Sequence, residues 1–403
     1  MPAARTFNPR AFFSMQLFCA LVLILAAMPS FAQTFTSLLS FNQTDGANPY
    51  GTLIEGPDGN FYGTTQFGGS YGQGAVFKVT PAGAFTTLYS FCAQSGCTDG
   101  DQPFAGLVLA SNGNFYGTSL GTAFTITPSG DLTTIYRFCS LADCADGDAA
   151  YAALIQGADG DFYGTTADGG AKGSCGTVFK LTPGGVLTTL QKFRLIDGCN
   201  PFFPLVQAPD GNFYGGTSSG GSHNYGTIFR LTPAGLFTLL YSFDGTHGIH
   251  PSQLLPASNG KLYGTTQEGG AFGYGAIFSI TTAGHLRILH SFDSTDGATP
   301  YAGLVQDPSG SFYGTTYQGG GHSTCPDEAC GTVFQFAPSG KLTTLYAFCS
   351  QSNCADGGGP YAGLLHATDG NLYGTTIVGG TNSCGADGTC GTVFKLSLAD
   401  GSR

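Results

Sequence analysis

An all-β fold, a seven-bladed β-propeller with four antiparallel strands per blade, is predicted by three features of the sequence. A Tyr-Gly pair recurs seven times, at Tyr62, Tyr116, Tyr163, Tyr214, Tyr263, Tyr313 and Tyr373, with a spacing close to fifty residues. A turn-forming dipeptide precedes every copy. The two ends of the repeat array carry complementary leftovers, one strand too few and one strand too many. A period near fifty belongs to propeller blades and not to helical solenoids.

Residues 1–32 stand apart from the array. Arg5 and Arg10 make a basic start, Phe18 to Met28 is an uncharged apolar run, and Ser30-Phe31-Ala32 offers small residues at the −3 and −1 positions. That layout predicts a secretory signal peptide cleaved after Ala32, leaving residues 33–403 as a single propeller. The apolar run is too short to span a bilayer comfortably. A secreted or periplasmic product with no membrane insertion after cleavage is expected. Without Arg5 and Arg10, 12 basic residues face 25 acidic ones, and such a surface repels nucleic acid and anionic lipid.

Each unit reads as four short strands, A to D. In blade 6 they are Gly303–Gln306, Phe312–Thr316, Thr332–Phe336 and Leu342–Phe348. The A–B turns carry Asp58-Gly59, Asn112-Gly113, Asp159-Gly160, Asp210-Gly211, Asn259-Gly260, Ser309-Gly310 and Asp369-Gly370. Asp-Gly and Asn-Gly accept the positive φ angles of tight hairpins. Thr80-Pro81-Ala82-Gly83 exemplifies the C–D turn, in which Pro presets φ and Gly accepts the conformation at the turn's end. The last unit, at 361–398, reaches its C–D turn at Asp400-Gly401 and lacks a D strand, whereas residues 34–41, TFTSLLSF, read as a D strand without a blade. The N-terminal strand is therefore expected to complete blade 7 and close the ring, which removes exposed strand edges.

These residues, GNFYGTT…GTVFKLTP-x-G-x-LTTLYSF, resemble the GloVer tandem repeat of exported bacterial proteins, over essentially all of residues 34–398. The resemblance implies a propeller-like fold and an exported location, and it implies no activity. Members of that family often end in a sorting or anchoring segment, which this sequence does not show.

Twelve cysteines come after the signal peptide. Ten form local pairs, Cys92/Cys97, Cys139/Cys144, Cys325/Cys330, Cys349/Cys354 and Cys384/Cys390, and Cys175 and Cys199 remain. An even count in an exported chain reads as disulfides. Zinc is the rival, with His322 near Cys325, but the spacing and the oxidising compartment favour disulfides. Cys175 begins strand C of blade 3 and Cys199 comes just after its strand D, so these positions converge. All twelve lie in B–C loops or D–A connections, which share one face of a propeller, the top.

Catalytic signatures are weak. G-x-S-x-G occurs at Gly68–Gly72, Gly117–Gly121 and Gly216–Gly220, but a nucleophile elbow needs a helix directly after it. The seven histidines are scattered, with His223 in a B–C loop and His247 and His250 in one D–A connection. Absence of Trp argues against quinone-cofactor propellers, and no Gly-rich loop precedes a helix, so no cofactor and no metal is assigned.

One constellation repeats. Each D–A connection carries D-G-x-x-P-Y/F or a variant of it. Its acidic position holds Asp45, Asp99, Asp146, Asp197, Asp296 and Asp356, with His247 in blade 5. Its aromatic position holds Tyr50, Phe104, Tyr151, Phe202, Tyr301 and Tyr361, with Ser252 in blade 5. Asp-Gly turns and inter-blade aromatic wedges account for the pattern structurally. Functionally, ring symmetry places both sets as a collar around the top of the channel, suited to a polyhydroxylated ligand or a cation. The expected function is a monomeric binding or scaffold module of the cell envelope or exterior that recognises glycan or protein. A carbohydrate-active lyase or hydrolase using top-face carboxylates is the alternative, and a purely structural or adhesive surface protein is a third reading.

Overall fold

A computed structural model describes residues 33–170, 175–321, 329–382, 384 and 390–398; the predicted signal peptide lies outside them. Seven antiparallel sheets succeed one another around a ring. Blade 1 is Ile54–Glu55, Phe61–Thr65, Ala75–Val79 and Phe85–Ser90, from the axis outward. Strand A is shorter than its sequence suggests: in blade 6 it pairs only over Val305–Gln306. Blade 5 departs from the others. An extra strand, Ile249–Pro251, pairs with a B strand lengthened to Leu262–Glu268. Helical structure among the described residues is limited to short 3-10 turns, and no helix is long and apolar enough to cross a membrane.

The repeat's F-Y-G-T-T strand is buried along its whole length, so both of its faces need partners. Packing accounts for its glycine. A Cβ on Gly63 would lie 2.6 Å from the Phe77 ring of strand C and 2.9 Å from Leu53 of the same blade. The residues before and after it point to the neighbouring blades. Tyr62 lies against Phe115 of blade 2 at 4.2 Å between ring centroids, Tyr116 against Phe162 at 4.1 Å and Tyr163 against Phe213 at 4.0 Å. The same tyrosine of blade 5, Tyr263, meets Phe312 at 4.3 Å. Seven hydrophobic clusters result, each shared by two adjacent blades. The core of this protein lies between its blades.

Buried tyrosine hydroxyls need polar partners, and the A–B turn supplies them. Tyr62, Tyr163, Tyr214 and Tyr373 donate to Asp58, Asp159, Asp210 and Asp369 at 2.7–2.8 Å. Where the turn holds asparagine, Nδ2 of Asn112 or Asn259 donates to Tyr116 or Tyr263 instead. Burial and the Asp159 carboxylate push the Tyr163 phenol up to about 12, so the hydroxyl stays protonated. A threonine of strand B adds a polar tie to the next blade. Oγ1 of Thr64, Thr118, Thr165 and Thr265 donates to the carbonyls of Ala105, Ala152, Pro201 and Ala302.

The ring closes as the sequence predicts. Thr34–Ser40 pairs antiparallel with Thr392–Ser397 as the fourth strand of blade 7. It reproduces the β-bulge of the other D strands: Leu38 is skipped in the register, as Leu88 is in blade 1. The bulge carbonyl of Leu38 comes to 2.6 Å from where a Cβ on Gly83 would stand, and Gly83 has φ +87°, so this C–D turn requires glycine on both counts. Tyr373 packs on Phe61 at 4.1 Å and Thr375 Oγ1 donates to the Pro49 carbonyl, so the seam between blades 7 and 1 is made like the others.

Disulfides join Cys92–Cys97, Cys139–Cys144, Cys349–Cys354, Cys384–Cys390 and Cys175–Cys199. Cys330 is also disulfide-bonded, and its predicted partner Cys325 lies outside the described residues. The first three staple D–A connections that are longer than the rest and contain a 3-10 turn at Ser95–Cys97, Ala142–Cys144 or Ser352–Cys354. Several disulfides are compatible with an oxidising, extracellular or periplasmic environment.

Phe41 at the end of the closing strand is fully buried, so Phe41→Ala should cost about 3–5 kcal/mol, measured by denaturant unfolding. Deletion of residues 34–41 should lower the melting temperature further; a deletion variant that melts like the intact chain would contradict strand closure. Cys175–Cys199 spans a separation of 24 residues, against 5 for Cys92–Cys97. Replacing both cysteines of the longer bridge by serine should therefore cost more, about 3.5 kcal/mol against about 2 kcal/mol in the chain-entropy model.

Candidate functional site

The aromatic residues of the D–A connections do converge at the top of the channel, but they fill it. Tyr50 stacks on Phe104 at 4.3 Å and meets Tyr361 edge-on at 4.9 Å. Phe104 contacts Tyr151 at 5.5 Å, Tyr151 contacts Phe202 at 5.5 Å, and Tyr301 stacks on Tyr361 at 4.5 Å. Phe104 also reaches Tyr361, two blades away, at 5.8 Å. Rings in contact two blades apart stand close to the axis, as a plug and not an open collar. Tyr317 from the B–C loop of blade 6 joins it, 5.4 Å from Tyr301; lying outside the D–A motif, it gave no repeating signal. Burial, then the neighbouring phenols, pushes Tyr361 well above the usual tyrosine range.

The series of ring contacts has one gap, at blade 5, between Phe202 and Tyr301. Ser252 takes the ring's place and is fully buried, with its hydroxyl against Thr265 Oγ1 and the Ala302 carbonyl. Blade 4 departs at the same seam: Gly216 replaces the threonine that elsewhere bonds the next blade, and a Cβ there would touch Pro251 at 3.5 Å. Both irregularities therefore fall between blades 4 and 5.

The acidic set requires correction, because the structure separates it from the aromatic set. Asp99, Asp146 and Asp356 are fully buried and turn outward to strand D of the preceding blade, where they accept from Tyr89, Tyr136 and Tyr346 at 2.7–2.8 Å. They also accept loop amides, those of Ala93 and Gln94 in the case of Asp99. Burial would lift the Asp146 carboxyl, but the hydrogen bonds from Tyr136, Ser140 and Leu141 outweigh it and hold the group below its ordinary value. Asp45 accepts from Asn42, Asp197 pairs with Arg194 and Asp296 pairs with His290. His247 pairs with Asp244 at 3.0 Å in the same kind of loop. These side chains cap their own connections, because loop amides and strand D hydroxyls reach them first.

Other carboxylates stand beside the rings. Asp148 and Asp168 face each other across an antiparallel bridge, with N–H···O distances of 2.9 and 3.0 Å in the two directions. Both act electrostatically on Tyr151, and Glu268 acts on Tyr301. Desolvation, then the Asp148 charge, raises the Asp168 carboxyl above its ordinary value. They fall outside the repeating D-G position, so the sequence pattern did not single them out.

Six large aromatics are exposed among the described residues: Phe67, Tyr71, Phe202, Tyr225, Phe272 and Tyr274. Phe202 belongs to a D–A connection and the other five to B–C loops, so all six stand on the top face. Loops on this face also hold the three G-x-S-x-G serines. Ser119 is buried against Thr122, Ser218 donates to the Asn200 carbonyl and Ser70 meets Ser90; in none of these bonds is the partner a histidine. His223 is exposed in its B–C loop, and His322 lies outside the described residues.

A profile of the Gloeobacter/Verrucomicrobia repeat matches residues 26–141, 118–255 and 234–403. No curated protein matches the chain. Among solved structures, streptogramin B lyase superposes with a TM-score of 0.63 at 14% identity, over 93% of this chain and 100% of that one. The extracellular domain of a protein named as a one component system, BT4673 of B. thetaiotaomicron, superposes with a TM-score of 0.57 at 10% identity, over 91% of this chain and 40% of that one. At such identities the likeness is one of fold.

The two kinds of carboxylate should respond oppositely to neutralisation. Asp356→Ala leaves buried donors without an acceptor and should cost about 1–3 kcal/mol in denaturant unfolding. Asp168 binds its proton more tightly when folded, so its charge weakens the fold as pH rises through the raised value. Asp168→Asn should therefore raise the melting temperature at neutral pH, and the gain should vanish below the ordinary carboxylate pKa. A lower melting temperature at neutral pH would contradict the like-charge contact.

Proposed function

This chain belongs to the Gloeobacter/Verrucomicrobia repeat family, and we propose that it is an exported, monomeric binding module of the cell envelope or exterior that takes a glycan on its top face. The observation that carries this reading is that all six exposed large aromatics of the described chain belong to loops of that face. Exposed apolar surface of this kind marks interaction sites. Flat aromatic faces cover the C–H faces of sugars, and nearby carboxylates accept hydroxyl hydrogen bonds. Export is supported by the predicted signal peptide and by the disulfides, which persist in oxidising compartments. The rigid ring supports this role as well: loops held on a fixed scaffold are where specificity resides.

A lyase or hydrolase is favoured by one observation, the Asp148–Asp168 pair, in which one carboxyl is raised above its ordinary value. A raised carboxyl beside a second carboxyl group is an arrangement that acid–base cleavage of a glycan employs. Binding is preferred because the repeating carboxylates are committed to loop caps and turn latches.

Phe272→Ala combined with Tyr274→Ala removes two exposed rings of one B–C loop. The variant should keep the melting temperature of the intact chain and lose about tenfold in affinity for any polysaccharide that retards the protein in affinity electrophoresis. Unchanged retardation would remove this loop from the site, and absence of retardation by every plant and microbial polysaccharide tried would defeat the glycan reading. Release of reducing ends by the intact protein, abolished in Asp168→Asn, would replace binding by catalysis.

A further inference from the structure

Charge is distributed unevenly between the two faces. On the lower face, lysines neutralise the turn carboxylates: Lys180 pairs with Asp159 at 2.9 Å and Lys395 with Asp369 at 3.3 Å. Among the described residues of the D–A and B–C loops, Arg194 is the only Lys or Arg, and it is already paired with Asp197; the other Asp and Glu residues there have no such partner. Asp148 and Asp168 are set directly opposite each other, an arrangement of like charges that weakens a sheet unless something else compensates it. Among the described residues, then, only Arg137, which donates to the Thr98 carbonyl, and Arg194 bring a guanidinium to these loops, and no Lys or Arg is paired with Asp148, Asp168 or Glu268.

We propose that the glycan bound by the top face is cationic, a polysaccharide of amino sugars with free amines, seated over the blade 5 gap at Ser252. On one side of the gap Tyr151 stands beside Asp148 and Asp168, with Phe202 against it at 5.5 Å. On the other, Tyr301 stands near Glu268. An ammonium group between the two aspartates relieves their repulsion, and a ring face beside it adds a cation–π contact. The acidic face also raises the encounter rate with a polycation. A lysine-rich peptide shares the charge but offers no sugar C–H face for an exposed ring to cover.

This inference rests on the glycan reading and is tested so that the two can fail separately. Isothermal titration of the intact exported chain compares four probes of equal length: a β-1,4-linked glucosamine oligomer with free amines, its fully N-acetylated form, a cello-oligosaccharide and oligolysine. The free-amine oligomer should bind about tenfold tighter than either neutral sugar. That advantage should shrink as salt rises from about 0.05 to 0.5 M. Asp148→Asn combined with Asp168→Asn should abolish the advantage while leaving the melting temperature equal or higher, which a merely structural role would not do. Neutral sugars bound as tightly as the free-amine oligomer would overturn the cationic ligand and leave glycan binding standing. Oligolysine bound more tightly than the amino sugar would overturn the choice of polysaccharide. Binding of none of the four overturns the cationic ligand, and glycan binding then stands or falls by the polysaccharide retardation alone.

Discussion

Each blade is held to the next by a buried tyrosine whose ring lies on an apolar side chain of its neighbour, a phenylalanine in five seams and a leucine in the other two, while its hydroxyl is satisfied within its own blade. Tyr163 shows the arrangement: its ring meets Phe213 of blade 4 at 4.0 Å and its hydroxyl donates to Asp159 of its own A–B turn. Aromatic pairs of this kind contribute about 0.5–1.5 kcal/mol beyond the area they bury. A four-stranded sheet buried on both faces cannot stand alone, so the stacking is also what makes the ring obligatory. Closure by Thr34–Ser40 is then a requirement, because an unclosed ring would leave the inner row of Phe61 and the outer edge of blade 7 without partners.

With the lower face occupied by tight turns, chemistry is left to the upper loops. There the repeat serves two purposes that a sequence pattern cannot separate. Its aspartates stiffen the D–A connections by capping their amides, as Asp99 does for Ala93 and Gln94. Its aromatics crowd together near the axis, as the contact of Phe104 with Tyr361 two blades away shows. The aspartates are thus committed to their loops and the aromatics to one another, so neither set is a ring of equivalent open groups. Beside them stand residues that break the repeat: Ser252 and Gly216, both buried at one seam, Asp148 and Asp168 on blade 3, and the exposed rings of the B–C loops. Symmetry builds the scaffold of this protein, and departures from symmetry supply its candidate site.

The number of blades, the strands, the turns and the closing strand were legible in the sequence because each rests on local rules. Strand alternation, Asp-Gly turn chemistry and a fifty-residue period all act over a few neighbouring residues or repeat at fixed intervals. Even the bulge at Leu38 matches the other D strands residue for residue. The pairing of Cys175 with Cys199 was legible too, since neighbouring strands fix where their ends meet. The direction of a side chain at a loop was decided only by the tertiary structure. Asp146 and Asp148 are two residues apart in one connection, yet the first is drawn to Tyr136 on strand D and the second is left opposite Asp168. That choice depends on which hydroxyl, amide or charge lies within hydrogen-bond reach across a loop, and such distances exist only once the blades have packed.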